Sequence, residues 1–119
     1  MQTYTNIQAQ GVKLSEMVFH LTEKFPKYGE KGLTEMLRKT SFKLVGNIEE
    51  GCGNPHSVEA MHFFKRSIGE INKLREHIRR AKECGCMGMV GFELVLLNVE
   101  RFEQSLAAYA AYHKRKLSV

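Results

Sequence analysis

The chain has 119 residues, 43% of them hydrophobic, and a formal net charge of +5 at pH 7, a globular composition long enough for one domain over residues 1–119 with an unstapled core. All 13 acidic residues are glutamate, which excludes the Asp forms of two-metal, aspartyl-nucleophile and Ser-His-Asp catalysis. No charged segment leading into an apolar core opens the sequence, no apolar run reaches membrane-span length, and three cysteines stand without a signal peptide, so a soluble cytoplasmic protein with reduced thiols is expected.

From about Ile7 to Lys24 the inward positions of a helix are Ile7, Leu14, Met17, Val18 and Leu21, completed by Phe25. Val12 and Phe19 fall on its opposite side. Pro26 ends the segment, because a proline disfavours helical geometry at the residue before it. Residues 27–32 form a short polar connection with two glycines, suited to an antiparallel turn.

The second helix spans Leu33–Glu50. Leu33, Met36, Leu37, Thr40, Leu44 and Ile48 share one face, and Asn47 falls on that same face as a buried amide in need of hydrogen-bond partners. Phe42 and Val45 point away from it. Gly51 reads as a left-handed cap, and Gly53 and Pro55 forbid continuation.

A third helix starts near Asn54 or Ser57, either of which suits a cap, with Glu59 in the first turn. Its inward line is Ala60, Phe64, Ser67, Ile68, Ile71, Leu74 and Ile78, running to about Lys82. Gly85 to Gly91 make the next turn. The fourth helix, roughly Val90 to Lys116, turns Phe92, Val95, Leu96, Val99, Phe102, Leu106, Ala110 and His113 inward. Four amphipathic helices with short connections predict an all-α fold, an antiparallel up-down-up-down four-helix bundle.

The outward faces carry two signals. On the third helix Arg66, Lys73 and Arg80 recur every seven residues and lie within about 40° of one another, flanked by Lys65 and Arg79. Arg38, Lys39 and Lys43, and the C-terminal Lys114, Arg115 and Lys116, extend this positive set. One reading is a solvated face laced by Glu70, Glu76 and Glu83; the other is a phosphate-binding strip with steep salt dependence and little sequence reading. The second signal is apolar. Phe19, Phe42, Val45, Val90, Leu94, Leu97 and Tyr112 fall outside the core lines, more apolar surface than a lone bundle leaves wet, which points to self-association. A helix phase wrong by one residue would instead make some of them core.

Catalysis has no constellation in this chain. Cys84-Gly85-Cys86 has a weak metal-ligand spacing, with Cys52, His56 or His62 as the further ligands, but no second cysteine pair completes a zinc set, so ordinary turn and core thiols are expected. Gly51-Cys52-Gly53-Asn54 lacks the Lys-Ser/Thr of a phosphate loop. No cofactor and no metal is expected.

Phe25-Pro26, Gly32-Leu33-Thr34, Arg38-Lys39, Asn47-Ile48-x-Glu50-Gly51, a Ser57 cap, Phe64, Ser67-Ile68-Gly69-Glu70 and Leu74 together resemble a bacterial four-helix bundle family. That family includes proteins encoded in intervening sequences of large-subunit ribosomal RNA genes and the accessory variability determinants of diversity-generating retroelements. The resemblance covers roughly residues 7–112, and Asn-Ile-x-Glu-Gly is its most specific part. It implies a homopentameric ring of bundles. In the retroelement branch, which the basic balance favours, it implies a non-enzymatic partner of the reverse transcriptase and of template RNA or cDNA. By that analogy Arg38, Lys39, Lys43, Lys65, Arg66, Lys73, Arg79 and Arg80 are the contact positions. The runner-up is an intervening-sequence-type module that binds protein and no nucleic acid.

Overall fold

Which face of each helix turns inward follows from steps of three and four residues between apolar side chains, since these return to one side at about 100° per residue. The computed structural model describes residues 3–26 and 32–117, with side chains from residue 6 onward. It contains α1 (Thr3–Glu23), α2 (Leu33–Gly53), α3 (Val58–Glu83) and α4 (Met89–Leu117), and no strand among the described residues. Each helix packs on the next in the chain and α4 closes back on α1, while the backbones of the diagonal pairs stay apart and meet across the core only through side chains such as Cys52 and Tyr109. Short links between adjacent helices force alternating directions, and the result is a four-helix bundle with extents of 53 × 23 × 18 Å.

The core is built from the predicted lines: Ile7, Leu14 and Val18; Leu37, Leu44 and Ile48; Phe64, Ile71, Leu74 and Ile78; Val95, Val99, Phe102 and Leu106, all buried. Met17, Leu21, Phe25, Ile68, Phe92 and Ala110 are partly buried at its margin. Met36 departs from expectation. It is exposed, because it lies roughly 90° from the centre of the buried stripe of α2. Ser41 and Cys52 occupy the buried side instead.

Two helix ends show why particular residues stand there. Ser57 is the cap of α3: its hydroxyl oxygen accepts the Ala60 N–H at 3.0 Å. Gly51 is not a cap. α2 continues through it to Gly53, and its backbone is not left-handed. A Cβ at Gly51 would stand 2.5 Å from Cε1 of the Phe64 ring, so glycine is required for α2 and α3 to approach. The left-handed glycines among the described residues lie elsewhere, at Gly32 before α2 with φ 81° and at Gly85 with φ 83°. There Gly85 N–H bonds to Lys82 O at 3.1 Å and Cys86 N–H to Ala81 O at 2.9 Å, the paired bonds of a Schellman motif closing α3. The α3–α4 turn is accordingly shorter than Gly85–Gly91, and Gly91 is helical. Of the predicted connection at residues 27–32, all but Gly32 lies outside the described residues.

Candidate functional site

Positive charge is distributed unevenly. α3 carries seven basic side chains against four glutamates, whereas α2 balances three against three, so α3 holds the largest surplus of the four helices, and the exposed Lys114, Arg115 and Lys116 gather a further positive group at the end of α4. Lys65, Arg66, Lys73, Arg79 and Arg80 are all exposed on α3. Lys73 Nζ lies 3.7 Å from Glu70 Oε2, and Arg79 Nη1 donates to Glu76 Oε2 at 2.9 Å. Both are single-turn pairs; Arg79–Glu76 lies in solvent and is weak enough to yield to a phosphate, whereas Lys73 is exposed but its partner Glu70 is largely covered. Arg66 lies over the Phe63 ring, 5.3 Å from its centroid. Arg75 leaves the strip to pair with Glu103 of α4 and serves as a cross-link. Partly exposed His77 reports the local field. Burial and the Arg80 charge lower its pKa, Glu76 opposes them, and Lys73 adds to the lowering.

The α2 cations do not form the group expected from sequence. Arg38 Nε donates to Thr22 Oγ1 of α1 at 2.8 Å, and the guanidinium sits 4.0 Å from the centroid of the Phe19 ring. It is a partly buried clamp between α1 and α2. Lys43 is exposed about 140° around the helix from it, because five residues separate them, and Lys39 is exposed between the two. Asn47 is likewise partly exposed, not enclosed among apolar neighbours. Among the described residues no buried side-chain N or O atom lacks a hydrogen-bond partner.

Two apolar patches lie on different sides of the bundle. Phe19 and Phe42 flank a groove of about 340 Å³ between α1 and α2, with Phe42 76% exposed. On α4, Val90, Leu94 and Leu97 step along one outward line, Val90 being 81% exposed, with Met89 beside them. Tyr112 is exposed farther along, with Lys116 Nζ 5.2 Å from its ring centroid. Val45 differs from expectation. It is only partly exposed, about 60° nearer the core side than Phe42.

The third assembly of polar side chains escaped the sequence reading. At the end of the bundle where α2, α3 and α4 meet, Cys52 Sγ donates to the Tyr109 hydroxyl at 3.4 Å. The Tyr109 ring meets Phe64 edge-on at 5.4 Å and His113 at 4.4 Å. Nδ1 of His113 and Nδ1 of His56 are 2.9 Å apart, so one ring carries a proton there and the other accepts it. Burial, then the charges of His56 and Lys116, lower the His113 pKa; burial raises that of Cys52, partly offset by its bond to Tyr109. Tyr109 belongs to the series Val95, Val99, Phe102, Leu106, Tyr109, His113, whose alternating steps of four and three were the available signal. Among the described residues no group of three or more His, Cys, Asp or Glu side chains is arranged to hold a metal ion. No helix of the described residues is long and apolar enough to cross a membrane.

Comparison with protein-family models matches residues 5–108 to the family described as 23S rRNA-intervening sequence protein. No curated protein matches the chain.

Proposed function

The chain belongs to the 23S rRNA-intervening sequence protein family, and from that premise we propose that it is a non-enzymatic accessory protein that self-associates into a ring and binds nucleic acid. The observation that carries this reading is the separation of its surfaces. Apolar side chains gather in the α1–α2 groove and on the outer line of α4, while the largest positive surplus lies on α3. Two unlike apolar patches on different sides favour a heterologous contact, patch to groove, and such contacts close into rings when the rotation permits. A ring repeats the α3 strip and multiplies weak phosphate contacts into avidity. In the retroelement branch the ligand is template RNA or cDNA with the reverse transcriptase as protein partner, and subunit number five follows from the resemblance.

Light scattering of the purified chain is expected to give a multi-subunit mass. Phe42→Glu or Leu97→Glu then yields smaller species at near-native helicity, because each places charge in a dry contact. Replacing Arg66, Lys73 and Arg80 together by glutamine is expected to weaken RNA binding and to flatten its salt slope by up to about 3. A monomer without affinity for RNA or DNA in low salt overturns the proposal.

The pairing of Lys73 and Arg79 with glutamates favours a second reading. In it the strip is a solvated face, and the oligomer binds protein and no nucleic acid. An oligomer whose RNA affinity is unchanged by the triple substitution supports that alternative.

A further inference from the structure

The α3–α4 turn places two thiols against each other at the end of the bundle opposite the Cys52 cluster. Cys84 follows the last residue of α3, Gly85 takes the left-handed conformation, and Cys86 returns its N–H to Ala81 O. This reversal through Gly85 brings Cys84 Sγ and Cys86 Sγ to 3.0 Å. Cys84 is exposed, while Cys86 is partly covered against the core. A disulfide needs its sulfurs at about 2.05 Å, so closure asks for a further approach of about 1 Å. Two thiolates on a tetrahedral zinc, each at about 2.3 Å, would stand about 3.8 Å apart, wider than this pair. The geometry therefore leans towards a sulfur–sulfur bond and away from a chelate.

We propose that Cys84-Gly85-Cys86 is a thiol–disulfide exchange site whose substrates are low-molecular-weight disulfides of the glutathione class. The exposed Cys84 thiolate attacks one sulfur of the small disulfide and expels the first small thiol, leaving a mixed disulfide on Cys84. The Cys86 thiolate then attacks the Cys84 sulfur, forms the Cys84–Cys86 bond and expels the second small thiol. Two protein thiols are oxidised and one small disulfide is reduced to two thiols. Both protons leave with the products or buffer. Closure surrenders the Cys84 Sγ–H donation to Ala81 O at 3.5 Å, while the backbone bonds of the turn involve no sulfur. The bundle thus has no need to open. Cys52, buried and bonded to Tyr109, stays outside the reaction.

The test equilibrates the full chain in buffers of reduced and oxidised glutathione, traps thiols by acid and alkylation, and measures intact mass and helicity. The expected result is loss of two of the three thiols, a mass lower by two hydrogens, no retained adduct and unchanged helicity. Cys52→Ser is expected to behave as the parent does, while Cys86→Ser accumulates a glutathione adduct on Cys84 that nothing resolves. Retention of all three thiols in fully oxidised glutathione, a stable adduct on the parent chain, or disulfide-linked dimers in place of the internal bond would each overturn the proposal.

Discussion

The α2–α3 and α3–α4 connections lie at opposite ends of the bundle and use the same two residue types, glycine and cysteine, for opposite physical reasons. At the first, Gly51 is needed for what it lacks, since a Cβ would strike the Phe64 ring. At the second, Gly85 is needed for where its backbone goes, at φ 83° with open space around any added Cβ. The thiols divide likewise. Cys52 is sealed beneath Tyr109 with its pKa raised by burial, whereas Cys84 stands in solvent against Cys86. Residue type therefore says little about a thiol's chemistry here. The number of protein atoms around the sulfur decides it.

The comparison breaks most visibly at Phe64. Phe64→Ala is expected to cost about 3–5 kcal/mol in urea unfolding, since it empties the contact among Gly51, Tyr109 and α2. Gly51→Ala should cost about 1–3 kcal/mol by overpacking, and most of that should vanish when it is combined with Phe64→Ala. Strict additivity of the two would show that the ring is not what Gly51 accommodates.

Gly85→Ala is expected to cost about 1–2 kcal/mol through its backbone alone. Combining it with Phe64→Ala should leave that cost intact, because the two ends share no contact. Coupling between them would erase the distinction drawn between the two glycines.

The smallest effect is a pH dependence centred on His113 at the Cys52 end. His113 faces His56, Lys116, Tyr109 and Tyr112, and its folded-state pKa lies below the ordinary value. The unfolded chain then binds the extra proton first as pH falls. The neutral ring's contribution is complete above about pH 6.5 and is lost below it, towards the depressed folded value. His113→Gln should flatten the stability profile over that window, as read by urea midpoints between pH 7.5 and 5. His77, also lowered, contributes in the same direction, so the variant flattens the profile in part. A profile identical to that of the parent would show that His113 keeps its ordinary titration.

Much of this was legible in the order of residues. The inward lines of the four helices apart from Met36, Ser57 as one of two cap candidates, and the outward positions of Phe19, Phe42, Val90, Leu94, Leu97 and Tyr112 follow from local sequence, chiefly from periodicity. Arg38 and Lys43 were harder. They look like one basic group along the chain, but Arg38 is drawn to Thr22 and Phe19 of the neighbouring helix, which no local pattern specifies. Gly51 misled for a related reason. A glycine near a helix end usually caps it, and only the position of Phe64 reveals that this one is a contact.

By itself the sequence determined the class of fold, the stripe each helix buries and the helix on which positive charge accumulates, because each depends on spacing along one helix and on composition. Tertiary structure alone decided which glycine is a cap and which a contact, that Tyr109 joins Cys52 to His113 and His56, and that Cys84 and Cys86 touch. Those facts depend on distances across helices or through a turn, and such distances exist only once the bundle has closed.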